Sequence, residues 1–281
     1  MSDVDTVRNR LNIGEGLSVL GKDRKTRGGV KASPITAELL GQNALLWDLS
    51  AADTARLIAH GEMVEMPPRY LIYQAEEEIR DVFFPIDCVL SIVTRMQDGS
   101  EIEVGTIGRE GTSAIPLLMG SSTTANDCYC QVPGRAIKIP IADLHHLQKS
   151  DHRYRALFDR YLQAYVNFLG QLTACNRLHS IYERCARWLL LSQDRVQHDD
   201  IRLTHEYLAM MLGSRRSGVA MALAELQRAG FIHYVKGCIT IDDRAGLENT
   251  TCECYLVAQK QFSDLLRPAL RDADIVHSPG A

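Results

Sequence analysis

Leu203-Thr204-His205-Glu206-Tyr207-Leu208-Ala209-Met210-Met211-Leu212-Gly213-Ser214-Arg215-Arg216-Ser217-Gly218-Val219-Ala220-Met221-Ala222-Leu223-Ala224-Glu225-Leu226-Gln227-Arg228-Ala229-Gly230-Phe231-Ile232 is the stretch on which the reading of this chain turns. Thr204 is placed to cap a first helix ending at Leu212, and Gly213 supplies the left-handed residue that stops it. Ser214 is expected to cap a second helix, 215–227. Leu208, Leu212, Val219 and Leu223 then form a shared core, with small Ala209 at the crossing. Two short helices about a glycine turn make a helix-turn-helix. Past Gly230, Ile232–Val235 and Cys238–Ile241 flank Lys236-Gly237, a tight hairpin with a basic tip. Helix pair and hairpin together read as a winged helix-turn-helix.

That motif meets duplex DNA with the first turn of its second helix, where Arg215, Arg216 and Ser217 stand. An arginine fork matches guanine O6 and N7 together, and Met221, one turn on, suits a thymine methyl. Thr204 and Lys236 complete the expected DNA-binding set. Between Arg202 and Lys236 lie five basic residues (202, 215, 216, 228, 236) and two acidic ones (206, 225), a local balance of +3 in a chain of net charge −4. A basic face on an acidic protein is the electrostatic footprint of nucleic-acid binding.

Outward from this stretch, 281 residues favour two domains. Residues 1–34 hold five of the twenty glycines and seven Lys/Arg against four Asp/Glu, and read as a loose, solvated tail. From Ile35 to His60 apolar residues recur at helical spacing, with Ser50 and Asp53 marking the start of a second short helix. From Tyr70 to Pro140 the chain breaks into short strands: 70–73, 82–84, 89–93, 101–104, 128–132 and 136–139. Asp98-Gly99 between two of them suggests a type I′ turn. Such a run of strands implies a sandwich or barrel.

No proline occurs between Pro140 and Pro268, which permits long helices. Leu157, Tyr161, Tyr165, Phe168, Leu172 and Cys175 step by 4, 4, 3, 4 and 3, with Phe158, Leu162 and Leu169 as a second stripe. One stripe is expected to pack on the barrel and the other on the same helix of a second subunit, making a homodimer. Residues 248–266 suggest a further helix before a frayed end after Pro268.

The order barrel, long helix, winged helix resembles the Crp/Fnr superfamily, that of the cyclic-AMP receptor protein and the fumarate–nitrate reduction regulator. The resemblance is strongest in Arg184-Cys185-Ala186-Arg187-Trp188-Leu189-Leu190, in 203–209 and in 226–232, and weaker in Leu71–Glu76 and Asp98-Gly99-Ser100. It implies an α+β architecture: tail 1–34, cyclic-nucleotide-binding-like jelly-roll barrel 35–150, dimerisation helix 151–178, winged helix-turn-helix 179–247, and C-terminal helix and tail 248–281. It also implies a dimer on a palindromic double-stranded DNA site, acting with RNA polymerase. Arg216 occupies the family's base-reading arginine position, Ser217 stands where glutamate is common, and Met221 replaces a later arginine, so a different half-site is expected. Thr112 and Ser113 replace the Gly-Glu pair that holds a cyclic nucleotide, and Thr123 replaces the phosphate-binding arginine. Cyclic AMP is therefore not the expected effector, which stays unidentified. The cysteine cluster of the oxygen-sensing branch is absent, since the first cysteine is Cys88.

No cofactor or metal is assigned. The pairs Cys128/Cys130 and Cys252/Cys254 have one intervening residue, not the two of structural zinc sites, and read as buried thiols. The alternative function is a regulatory module acting through protein contacts, sensing an effector, redox state or a metal held by these pairs with His145-His146. An enzyme is not expected. No phosphate loop or nucleophile elbow occurs, Gly105 and Gly108 lack dinucleotide spacing, and His179 with Cys185 is a poor catalytic pair. Without a secretory signal or an apolar run long enough to span a bilayer, a cytoplasmic location is expected.

Overall fold

A computed structural model describes residues 30–196 and 199–276. Most of the tail reading therefore lies outside the described residues. Ordered pairing nevertheless starts before Ile35: β1 (Ala32–Ser33) lies antiparallel to β2 (Glu62–Met66), with Ala32 opposite Val64. Between them come α1 (Ala37–Leu40) and α2 (Ala51–His60). Ser50 caps α2, its hydroxyl accepting the Asp53 N–H at 3.1 Å.

The strands β3 (Leu71–Tyr73), β4 (Asp81–Pro85), β5 (Val89–Arg95) and β6 (Glu101–Ile107) follow, then a one-turn α3 (Ile115–Leu118), β7 (Asp127–Val132) and β8 (Gly134–Pro140). They form two antiparallel four-stranded sheets, ordered β1-β2-β8-β4 and β3-β7-β5-β6. Val64, Val82, Phe84, Ile137 and Ile139 from the first sheet and Leu90, Cys128 and Cys130 from the second are fully buried in one core. This is the barrel that the strand spacing suggested.

The β5–β6 turn differs from expectation. A type I′ turn needs positive φ at both central residues, but here only Gly99 has it, at 83°. The Asp98 carboxylate accepts from the Ser100 backbone at 2.9 Å and its hydroxyl at 2.6 Å, which holds Asp98 in ordinary space. The type I′ geometry occurs instead at Lys236 (φ 49°) and Gly237 (φ 78°).

After the barrel come α4 (Ile141–Ser150), α5 (His152–Leu178) and α6 (Ile181–Val196). The chain continues through β9 (Asp200–Arg202), α7 (His205–Met211), α8 (Arg216–Arg228), β10 (Ile232–Val235), β11 (Cys238–Ile241), α9 (Arg244–Thr250) and α10 (Cys254–Val276). Helix α10 runs on through Pro268, where the sequence predicts a frayed end. It packs along α5, with Phe168 and Phe262 ring centroids 5.6 Å apart. Both apolar stripes of α5 are used within the chain. Leu157, Tyr161, Tyr165, Phe168, Leu172 and Cys175 are buried, Phe158 is too, and Leu162 and Leu169 are half-buried. The exposed line is a different one: Gln163, Val166, Gly170, Thr173 and Arg177. No helix among the described residues is long and apolar enough to cross a membrane.

Strand β5 is buried on both faces from Val89 to Val93, although a strand on the outside of a barrel should alternate. The reason is that α6 and α7 cover it. Ile92 pairs with Gly105 and Val93 with Glu103, so Val104 is an extra, bulged residue. The bulge turns Glu103 and Thr106, three apart, to the same side as Ser91. Trp188 of α6 donates to Glu103 at 3.3 Å, Arg195 of α6 to Thr106 at 2.6 Å, and Ser91 meets the Met211 sulfur at 3.6 Å.

Glu103 is a buried carboxyl in this seam. Burial pushes its pKa up to about 7, although Ser91, Trp188 and Gln131 donate to it and the nearby Arg187 charge favours the anion. A raised acid pKa contributes stability that is complete below the unfolded value, near 4.5, and is lost as pH rises through about 7. Glu103→Gln is therefore expected to flatten the fall in stability between about pH 4.5 and 7 and to raise stability at alkaline pH by up to ~3 kcal/mol. Urea midpoints at acid and alkaline pH measure this; an unchanged slope in the variant rules the assignment out.

Candidate nucleic-acid interface

The helix pair forms as its residues dictate, with one shift. Thr204 caps α7, its hydroxyl accepting the Tyr207 N–H at 3.2 Å. Gly213, at φ 54°, ends the helix: its N–H bonds Met210 O at 3.1 Å, and the Ser214 N–H bonds Ala209 O at 2.9 Å. This is the two-bond Schellman ending. It employs Ser214 as the last residue of the first helix's stop, so Ser214 does not cap the second helix. Helix α8 starts one residue later than expected, at Arg216, with Arg215 at the cap position and no side-chain cap. Val219, Ala222, Leu223 and Leu226 bury one face of α8 against α6 and α7.

The opposite face holds the expected contacts. Arg215, Arg216 and Ser217 are exposed in the linker and first turn, and Met221 is 72% exposed one turn further along. Lys236 is exposed at the hairpin tip, and Thr204 is exposed although its oxygen accepts the cap bond. Arg202 and Arg228 are exposed as well.

The hairpin is held to both helices. Tyr234 N–H donates to Gln227 Oε1 of α8 at 2.9 Å, and the Tyr234 ring stacks on His205 of α7 with centroids 4.5 Å apart. Burial, then the nearby Arg216 charge, lowers the pKa of His205. His205 thus sits beside the arginine tip, a neighbour that sequence spacing gave no reason to choose. The hairpin also gains a third strand, since β9 pairs with β11, Ile201 opposite Ile239. Three residues are too few to show a period, so this strand was not legible in the sequence.

Residues 183–250 match the Crp-like helix-turn-helix domain. This part of the chain is a Crp-like helix-turn-helix domain. The fold of the chain is shared with FixK2 of Bradyrhizobium japonicum (14% identity, TM-score 0.58, covering 68% of this chain and 98% of that one). A CRP-family transcriptional regulator of Thermus thermophilus is similar at 19% identity and TM-score 0.53, over 66% of this chain and 95% of that one. CLP, a c-di-GMP responsive global regulator of Xanthomonas campestris, is similar at 17% identity and TM-score 0.52, over 68% and 99%. A comparison with curated protein sequences gave no match.

Of the three positions that the resemblance sets against a cyclic-nucleotide site, two are engaged inside the barrel. Thr112 and Ser113 are fully buried. The Thr112 hydroxyl donates to Phe83 O at 3.1 Å, and the Ser113 hydroxyl accepts the Phe83 N–H at 2.9 Å. Thr123 is exposed. The cysteines and histidines grouped in the sensor alternative do not assemble. Cys128 and Cys130 lie in β7, inside the barrel; His146 pairs with Asp53 at 3.1 Å; Cys252 and Cys254 lie at the start of α10.

Proposed function

We propose that this chain is a transcription regulator, a homodimer that reads a palindromic DNA site, one α8 per half-site, with Arg216 as the principal base reader. The observation that carries this reading is the exposed Arg215-Arg216-Ser217 tip beside the exposed, basic hairpin tip at Lys236. Guanidinium groups at a helix start can enter the major groove while the hairpin lysine and Thr204 engage phosphates. Met221 is assigned to a thymine methyl. The twofold is assigned to the exposed α5 line of Gln163, Val166, Gly170 and Thr173, where Gly170 has open space around it. Residues 35–150 then serve as sensor barrel, 151–178 as dimerisation helix and 179–247 as DNA head, with α10 bracing the long helix and RNA polymerase as the protein partner. The effector is not a cyclic nucleotide, because the pocket positions offer no cation to offset burial of a phosphate.

Salt dependence tests the reading. Three cations per subunit (Arg215, Arg216, Lys236) put about six phosphate or groove contacts on a dimer. Affinity for a 30-bp duplex should then fall by about 10³-fold between roughly 50 and 200 mM salt. A regulator that works through protein contacts alone would show a flat dependence, and that result would defeat the proposal.

A further inference from the structure

We infer that the protein binds one zinc ion through Cys175, His179, Cys252 and Cys254. The four ligand atoms lie within 4.8 Å of one another. Cys175 and His179 are one helical turn apart where α5 ends, and Cys252 and Cys254 flank Glu253 where α10 begins. Cys175 Sγ and Cys252 Sγ are 3.5 Å apart, and Cys254 Sγ is 3.5 Å from His179 Nδ1. Zinc–sulfur bonds of about 2.3 Å at tetrahedral angles separate two sulfurs by about 3.8 Å, so the cluster needs only small shifts to close on an ion. A [4Fe–4S] cluster would place each ligand on its own iron, and a [2Fe–2S] cluster would split the four into two pairs on separate irons; either spreads the ligand atoms further than the 4.8 Å seen here.

The surroundings suit a metal as well as the ligands do. His179 Nε2 lies 3.2 Å from the Glu253 carboxylate. An Nε2–H donated there leaves Nδ1 as the lone-pair nitrogen, facing Cys254, which is the carboxylate–histidine–metal arrangement. Gln171 donates to Cys254 Sγ at 3.0 Å. Three thiolates and a divalent ion leave one negative charge. Arg187 is 4% exposed, its Nε has no hydrogen-bond partner among the described residues, and its charge acts on Cys175. A buried guanidinium whose Nε has no hydrogen-bond partner among the described residues suits a neighbouring anionic metal centre. Four protein ligands leave no open position, so the ion is structural. It joins the end of the long helix to α10 at the break, His179-Ser180, through which α5 passes into α6.

The test uses the full chain, untagged, purified under reducing conditions without added metal. Elemental analysis should find about one zinc per chain, and cobalt exchanged for it should give tetrahedral visible bands with a thiolate charge-transfer band. Cys252→Ser and Cys254→Ser should each lower zinc content by more than about five-fold, while Cys185→Ser, outside the cluster, should retain it. Should the serine variants fail to fold, the wild-type measurements decide alone. Wild-type protein that holds no zinc and gives no tetrahedral cobalt spectrum overturns the inference. So does acid-labile sulfide with an iron chromophore, or a Cys175–Cys252 disulfide in freshly purified protein that takes up no zinc on reduction. None of these outcomes depends on DNA binding.

Discussion

Arg216→Ala is expected to reduce affinity for the specific site by roughly ten- to hundred-fold per half-site. A bidentate arginine–guanine pair is worth ~1–3 kcal/mol of discrimination, and alanine removes both donors. The side chain is exposed at the start of α8, and the face that packs in the core is made by Val219, Ala222, Leu223 and Leu226. Folding and dimerisation should therefore be unchanged. Sequences selected by the wild type from a random duplex pool supply the probe, with unrelated duplex as reference. Specific and non-specific affinity should converge in the variant, and its salt slope should become shallower. Sedimentation should report the wild-type mass. A variant that protects the selected site as well as the wild type would take the base-reading role away from this residue.

Arg195→Ala should have the largest effect on stability, a loss of about 3–5 kcal/mol. Arg195 is 5% exposed, pairs with Glu110 at 2.7 Å, donates to Thr106 at 2.6 Å, and lies 5.7 Å over the Phe168 ring. Alanine leaves the half-buried Glu110 carboxylate without its cation and opens a void in the seam between barrel and α6. The thermal midpoint should fall by roughly 5–8 °C. Glu110→Gln added to Arg195→Ala should restore part of the loss, because no charge is then stranded. If the single variant loses less than about 1 kcal/mol, the pair contributes no more than a surface contact would. Gly108 supports the assignment: a Cβ there would come within 2.3 Å of the Arg195 side chain, so the glycine makes room for the guanidinium arm.

The DNA head was the most legible part because its signals are local. A cap at Thr204, a left-handed residue at Gly213 and a 3.6-residue period through Val219 to Leu226 each act within a few residues. Ser214 departs from expectation because the Schellman ending of α7 takes it up and the next helix starts one residue later, which leaves Arg215 at the cap position. The stripes of α5 identify a helix, but they do not say which surface each covers. That depended on α10, far downstream in the chain, folding back on them.

The same limit hid Glu103 and the four-ligand cluster. Glu101-Ile102-Glu103-Val104 looks like a strand with a solvent face, and only the bulge and the docking of α6 turn Glu103 into a buried carboxyl. Cys175 looked like one more apolar residue of a stripe, and His179 like a helix-end residue.

Periodicity, caps and turn residues thus specified by themselves that this chain has a strand-rich body, a long helix and a winged helix pair with its arginines at the tip. Tertiary structure alone decided which faces those elements cover and which distant side chains meet. Such meetings depend on loop closure and burial across the whole chain, and no residue carries that information in its own neighbourhood.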